Sequence, residues 1–363
     1  MILFFAPFVN LFFFLLLCVV PERAPEQRQG GLSRNSQPTH FLPESAIGNA
    51  ALSLLITVPA GYGMAWLGVQ YLGNYGWGLF VAVPFTMGFV AAWIYELRRP
   101  QTMYGDVVVA VLSVSLLGIG LFAMAAEGLI CLLMVMPLAL PLAGFGGAVA
   151  HALRKGWRKE APAMMGALLL FALGVQWIEH AVAARPRVYE VRTAIDVQAA
   201  PEVVWKQVVA FTEIPLPTEL MFRAGIAYPI RAEMLGSGPG AERRCVFSTG
   251  SFVEPIQIWD APRQLKFSVR SNPPPLEELS PFGHIEPPHL HGYLLSEGGQ
   301  FLLTPLPQGG TRLEGTTWYQ HGLWPAAYWH LWSDAVIHRI HLRVLRHIRE
   351  EAEKQADGKE YSP

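Results

Sequence analysis

Charged residues are scarce in this sequence. Asp, Glu, Lys and Arg make up 15% of its 363 residues, whereas a typical soluble domain carries roughly 25%. Within residues 46–184 charges are rare and cluster in short loops, and ordinary charge density returns from Arg185 onwards. This contrast predicts a transmembrane region at 46–184 and a soluble domain at 185–355. The formal net charge of -1 gives no basis for a nucleic-acid partner.

Cysteine is also scarce, and the common motifs of catalysis are missing. Of the three cysteines, Cys18, Cys131 and Cys245, only the last falls in the predicted soluble domain, so no disulfide can form within that domain. The sequence contains no Cys-x-x-Cys pair, phosphate-binding loop, dinucleotide fingerprint, His-Glu-x-x-His or nucleophile elbow. We therefore expect no cofactor.

The first half of the sequence contains long apolar stretches. A helix that spans a bilayer needs about 20 mostly apolar residues, and five stretches reach or approach that length. They are Ile47–Tyr71, Gly76–Tyr95, Val107–Ala126, Leu129–Ala150 and Ala161–Ala183. The sequence thus predicts an α-helical transmembrane bundle of about five helices in a multi-pass integral membrane protein, with membrane lipids as partners.

An earlier apolar run covers Ile2–Val20, within an N-terminal segment at 1–45. No basic residue precedes this run, and Pro21-Glu22-Arg23 follows it in place of a small-residue cleavage site. We interpret the run as an additional span followed by a linker. A cleaved leader and a mis-assigned start are the alternatives.

Basic residues alternate between the two sides of the predicted bundle. One side carries Arg23, Arg28, Arg34, Arg98, Arg99, Arg154, Lys155, Arg158 and Lys159. Because short loops rich in Lys and Arg stay in the cytoplasm, this alternation puts the soluble domain on the extracytoplasmic side, and we expect the membrane to be a bacterial inner membrane. Arg185 and Arg187 are a contrary signal.

Ionisable residues within the predicted spans fall near the span ends. They are Glu96, Asp106, Glu127, His151, Glu179 and His180. Ionisable groups deep in a membrane usually mark function, but groups at span ends fit simple interfacial placement. The bundle is therefore predicted to be an anchor or packing scaffold without chemistry of its own.

The second half of the sequence has the pattern of an α+β domain. A strand of about ten residues begins at Val188, and a helix follows from Pro201. Strand-like runs separated by turn residues come next, and a helix at about Pro325–Gln355 closes the domain. The strand-like runs are Glu242–Phe252, Gln257–Trp259, Leu265–Val269, Gly292–Ser296, Gln300–Pro305 and Thr311–Tyr319, with a turn at Glu297-Gly298-Gly299. Residues 356–363 are predicted to be a disordered tail.

This order resembles the helix-grip superfamily, which includes START lipid-transfer domains and polyketide cyclase/dehydrase-like proteins (SRPBCC). The residues that carry the resemblance are Ala200-Pro201-Glu202, Val204-Trp205, Gly310-Thr311-Arg312-Leu313 and the closing helix. It covers roughly Val188–Glu353 and implies a curved antiparallel sheet around a long C-terminal helix, with an apolar cavity inside. A Pro-rich insert, Asn272–Pro288, departs from the pattern and is a candidate gate or irregular surface.

The closing helix places polar residues toward the predicted interior. His330 and His341 fall near the middle of its apolar stripe, with Asp334 close to them and His338 at the edge. Buried polar groups need partners, so these residues form a structural network, contact a ligand in the cavity, or bind a metal. For the metal alternative, His289 and His291 are weak candidates because His-x-His in a strand puts both side chains on one face.

Aromatic residues cluster around the start of the closing helix, and Trp318, Trp329 and Trp332 are the chief members. They fit either core packing or a cavity mouth near a bilayer. The favoured function is a membrane-anchored domain that binds an apolar or lipid-like ligand. The alternatives are a cyclase/dehydrase-like enzyme that uses His338 or His341 as general base with Asp334 orienting it, and a structural or sensory protein with a partner-binding domain.

Overall fold

The computed structural model describes residues 45–73, 75–97, 100–157, 161–181 and 187–358. The predicted span at 2–20, most of the basic loop residues and residues 359–363 of the predicted tail lie outside these ranges. The chain divides into two compact units, with the boundary between residues 183 and 184. We call them the five-helix unit and the C-terminal unit, and each is described by itself.

The five-helix unit contains five helices that are long and apolar enough to cross a membrane, which is compatible with a membrane protein. Helix α1 (Ala46–Trp66) continues as a π-helix over Leu67–Tyr71, and a second π-helix (Gly78–Ala82) leads into α2 (Val83–Tyr95). Helices α3 (Met103–Ala123), α4 (Leu129–Trp157) and α5 (Ala161–Ala181) follow. Helix α3 starts four residues before the predicted Val107 because the Thr102 hydroxyl caps it, accepting from the Gly105 amide at 3.1 Å.

Helices α2 and α4 approach each other closely through glycine. A Cβ on Gly88 would lie 2.0 Å from the Ala143 carbonyl oxygen, and one on Gly146 would lie 2.3 Å from the Phe85 carbonyl oxygen. Any larger side chain at either position would therefore strike backbone. Close contact through small residues is the usual way in which helices associate in a bilayer, where apolar burial gives no advantage over lipid.

The C-terminal unit is built on a seven-stranded antiparallel sheet in the order β1-β7-β6-β5-β4-β3-β2. The strands are β1 (Val188–Val197), β2 (Pro229–Leu235), β3 (Glu242–Phe247), β4 (Gly250–Asp260), β5 (Gln264–Ser268), β6 (Leu294–Pro305) and β7 (Thr311–His321). Helices α6 (Pro201–Val209) and α7 (Leu220–Arg223) connect β1 to β2. The first strand of the chain therefore pairs with the last one, along the whole length of β1.

A long closing helix, α8 (Ala326–Ala356), packs against β1, β7 and α6. Its apolar stripe is buried, with Ile337, Val344, Leu345 and Ile348 at most 8% exposed. A long C-terminal helix on an antiparallel sheet, with two shorter α-helices between β1 and β2, is consistent with the helix-grip arrangement. The predicted order of strand, helix, antiparallel strands and closing helix is present in the structure.

Two local predictions were wrong, and one strand was missed. The predicted strand Glu242–Phe252 is two strands, β3 and β4, which turn at Ser248-Thr249. The predicted turn at Glu297-Gly298-Gly299 is a bulge within the continuous strand β6, and there a Cβ on Gly298 would lie 2.7 Å from the Phe267 carbonyl oxygen. Strand β2 was not predicted at all.

Candidate functional site

A cavity of about 120 Å³ lies between the sheet and α8 in the C-terminal unit. Its wall is mostly apolar, and aliphatic residues of α8 close one side. A cavity of roughly 150 Å³ holds one benzene ring, so this slightly smaller cavity has room for an apolar group of about one ring at most. The rings in the wall are Phe211, Phe247, Phe252, Phe267 and Phe301.

A buried ion pair provides part of the polar lining. Arg243 on β3 and Glu254 on β4 are directly opposite each other in the antiparallel register, and they are 2% and 6% exposed. Their side chains form a charge-assisted hydrogen bond from Arg243 Nη1 to Glu254 Oε2. Arg243 Nε also donates to the Val209 carbonyl at 3.3 Å. Burial raises the pKa of Glu254, while Arg243 opposes that shift.

The Arg243 guanidinium also lies close to aromatic rings of the wall. Its central carbon is 5.6 Å from the ring centroid of Phe211 and 5.5 Å from those of Phe267 and Phe301. These distances permit cation–π attraction, which is stronger away from water. The neighbouring Cys245 is buried, and burial raises the pKa of its thiol to about 12. Cys245 is therefore protonated at neutral pH and is a poor nucleophile.

His341 of α8 is the other polar residue of note in the cavity wall. Its Nε2 is 2.7 Å from Thr317 Oγ1, and its Nδ1 is 3.1 Å from Thr193 Oγ1. Thr193 Oγ1 also lies 2.8 Å from Nδ1 of His338. Burial, with a smaller contribution from His338, lowers the pKa of His341 to about 4. His341 is thus neutral at pH 7, and hydroxyls occupy both of its ring nitrogens.

A second polar group surrounds the Tyr319 hydroxyl. This hydroxyl donates to Asp334 Oδ1 at 2.6 Å and lies 2.9 Å from His330 Nδ1. His330 Nε2 is 3.1 Å from Asp334 Oδ2, and the ring of Tyr189 lies 4.4 Å from that of His330. Burial, together with Asp334, raises the pKa of Tyr319, so the phenol remains a proton donor at neutral pH.

The structure thus separates the candidate residues of the closing helix. His341 lines the cavity, whereas His330 and Asp334 belong to the Tyr319 group and His338 bonds to Thr193. The sequence spacing allows an Asp334–His338 pair, but Asp334 contacts Tyr319 and His330 instead.

The predicted tryptophans are also dispersed. Trp318 donates from Nε1 to Glu190 Oε2 at 2.9 Å, and Lys266 Nζ lies 4.8 Å from its ring centroid. Trp329 is 3% exposed and packs edge-on against Tyr328, and Trp332 is half-buried. None of the three tryptophans is among the residues that line the cavity.

The sequence suggested that the two weak metal candidates share one face of a strand, but the structure places neither of them in a strand. His289 lies in a 3₁₀ turn (Pro288–Leu290) and is buried, whereas His291 is exposed. The turn forms because Pro287 and Pro288 cannot donate to a strand ladder. Glu278 is also buried, and its Oε1 lies 3.7 Å from His289 Nε2.

The sequence contained a usable signal for the Arg243–Glu254 pair, which the sequence analysis missed. Side chains alternate between the two faces of a strand, so Arg243 shares a face with Cys245 and Phe247. Two apolar neighbours of the same parity indicate that Arg243 points inward. A buried arginine then requires an acidic partner.

No family model matches this sequence, and no curated protein matches it. Similar solved structures include an aromatase/cyclase from Streptomyces sp. R1128 (16% identity, TM-score 0.29), which covers 47% of this chain and 96% of that one. Norcoclaurine synthase from Thalictrum flavum has 9% identity and a TM-score of 0.30, covering 47% of this chain and 98% of that one. The Aha1 dimer from Colwellia psychrerythraea has 13% identity and a TM-score of 0.28, covering 46% and 96%.

Proposed function

We propose that this chain is a membrane-anchored helix-grip protein that binds an apolar, ring-sized ligand in its C-terminal unit. The observation that carries the proposal is the largely apolar cavity of about 120 Å³, with Arg243, Glu254 and His341 in its wall. Ligand sites of this type combine apolar walls, which supply affinity, with a few fixed polar groups that orient the ligand.

The charged residues of the cavity wall restrict the net charge of the ligand. Arg243 and Glu254 neutralise each other, and His341 is neutral at pH 7 because its pKa is lowered to about 4. No unbalanced charge therefore remains among the lining residues that the structure describes. We infer an uncharged ligand, whose hydroxyl or carbonyl group hydrogen-bonds to the polar side of the cavity.

The two alternative functions have less support. An enzyme with Asp334 orienting His338 or His341 would need a contact that the described residues do not make, since Asp334 bonds to Tyr319 and His330. A domain that only docks a protein partner would not require a cavity with buried polar groups. Binding of a small molecule accounts for both the cavity and its polar lining.

Gly315 on β7 offers a direct test of ligand binding. A Cβ at this position would lie in ordinary contact, 3.6 Å from Leu345 Cδ2 and 3.8 Å from Phe301 Cε1, so a leucine side chain would enter the cavity. We expect Gly315→Leu to weaken the binding of phenol, used as an uncharged single-ring probe, by at least about tenfold. Calorimetric titration of the full chain in mild detergent measures this, with mass spectrometry of co-purifying small molecules as a second readout.

Arg312→Leu is the matched control, because Arg312 is exposed on the same strand. It should bind phenol as the wild type does. Equal binding by the wild type and Gly315→Leu would refute the cavity as the site. So would the absence of both probe binding and a co-purifying molecule in the wild type.

The membrane placement is also part of the proposal, and it rests on the five apolar helices and the alternation of basic loops. We propose a multi-pass protein of a bacterial inner membrane, with the C-terminal unit on the extracytoplasmic side. Alkaline phosphatase fused after the last residue should be active, because this enzyme folds only outside the cytoplasm, where disulfides form. A fluorescent reporter that needs the cytoplasm should be inactive in the same position, and the opposite pattern would overturn the orientation.

A further inference from the structure

Four ionisable residues meet at one end of the five-helix unit. Glu96 directly follows α2 and Asp106 lies in the first turn of α3, so the short connection 97–102 places both at the same end. His151 and Arg154 are one turn apart near the C-terminal end of α4. Glu96 and Asp106 are 3% and 0% exposed. The sequence analysis placed these residues at span ends but did not bring them together.

The geometry of this cluster is that of a set of metal ligands. His151 Nδ1 lies 3.1 Å from Glu96 Oε1 and 2.7 Å from Asp106 Oδ2. One ligand atom from each of these residues falls within 4.8 Å of the other two. Arg154 forms an ion pair with the other oxygen of Glu96, Oε2. That contact fixes the carboxylate and leaves Oε1 directed at His151.

A second observation is an unsatisfied carboxylate oxygen within the cluster. Asp106 Oδ1 is buried and has no hydrogen-bond partner among the described residues. Leaving a buried polar atom without a partner is unfavourable, and a bound cation would provide the partner that this oxygen lacks.

We propose that Glu96, Asp106 and His151 bind a divalent transition-metal ion. Two carboxylate oxygens and an imidazole nitrogen are donors that suit Zn²⁺, Mn²⁺ and Fe²⁺. Three protein ligands leave further coordination positions for water, as at reactive rather than purely structural metal sites. Arg154 holds one ligand in place, in the way that residues behind a metal ligand orient it. The five-helix unit then has chemistry of its own, independent of the cavity in the C-terminal unit.

Titration with Co²⁺ tests the site, since bound Co²⁺ absorbs visible light. The full chain in mild detergent, stripped with a chelator, should bind one equivalent of Co²⁺, and Zn²⁺ should displace it. We expect His151→Gln and Asp106→Asn to bind Co²⁺ at least about tenfold more weakly. His180→Gln is the matched control, because His180 is not part of the cluster and its Nδ1 instead lies 2.8 Å from the Leu72 carbonyl oxygen; it should bind Co²⁺ normally.

Thermal unfolding keeps the test valid if a variant folds poorly. Zn²⁺ should raise the melting temperature of the wild type and of His180→Gln but not that of His151→Gln. The proposal is overturned if the wild type binds no Co²⁺, which would mean that a proton on His151 or on a carboxyl group balances the cluster. It is also overturned if His151→Gln binds Co²⁺ as tightly as the wild type.

Discussion

Glu254→Gln should lower the free energy of unfolding of the C-terminal unit by about 3 to 5 kcal/mol, the usual cost of removing one partner of a buried ion pair. The variant leaves the Arg243 guanidinium, 2% exposed, without a countercharge, and arginine cannot shed its proton to escape this. Chemical denaturation of the full chain in detergent, followed by tryptophan fluorescence, measures the change.

Glu242→Gln is the matched control for this prediction. Glu242 pairs with Arg244, but that arginine side chain is 51% exposed, and exposed ion pairs contribute roughly 0 to 1 kcal/mol. Replacing both partners of the buried pair, in Arg243→Met with Glu254→Met, should restore most of the lost stability, because no unpaired charge then remains. If Glu254→Gln and Glu242→Gln have equal effects, the buried pair does not behave as described.

His341 should make the stability of the C-terminal unit depend on pH between about 4 and 6.5. Its pKa falls from 6.5 in the unfolded chain to about 4 in the folded one, so the unfolded state binds the proton more readily in this window. The stabilisation is complete above pH 6.5 and is lost as the pH falls towards 4, a change of about 3 kcal/mol. His321 and His347, whose pKa values burial also lowers, act in the same direction.

His341→Gln removes the contribution of that residue, because an amide can still contact Thr317 and Thr193 but does not titrate. The loss of stability between pH 7 and pH 4.5 should be smaller in this variant than in the wild type. His284→Gln is the control, since His284 is exposed and its pKa is raised by Glu286, the opposite direction to His341; this variant should lose at least as much stability as the wild type. If His341→Gln loses as much stability as the wild type, the lowered pKa of His341 is not a source of the pH dependence.

Apolar length and turn chemistry were enough to predict the outline of the fold. The five predicted spans correspond to the five apolar helices, although α4 extends to Trp157 rather than ending at Ala150. Hydropathy detects only the apolar part of a helix, and the basic residues after His151 continue α4 because they are good helix formers. Most of the order of elements in the C-terminal unit also followed from hydrophobic periodicity and turn residues, although β2 was missed and β3 and β4 were predicted as one strand.

The candidate site depended on contacts that sequence spacing does not contain. Arg243 meets Glu254 only because the chain turns at Ser248-Thr249, a turn that lacks the usual Gly-Asn or Asn-Gly signal. Asp334 has His330 and His338 at the same spacing in sequence, and the Tyr319 hydroxyl on β7 pairs it with His330. Contacts with neighbouring strands therefore determine which of the side-chain pairs allowed by sequence spacing actually forms.

The pairing of β1 with β7 has a consequence for how the C-terminal unit is made. Val188 pairs with Gln320, and Val197 pairs with Thr311. During synthesis β1 therefore has no pairing partner until β7, the last strand, has been made. At a synthesis rate of 5–20 residues per second, the interval between completion of β1 and completion of β7 is roughly 6 to 24 s. During that time β1 is an unpaired edge that other chains can extend. A chaperone that covers extended apolar segments should therefore matter more for this unit than for a helical one.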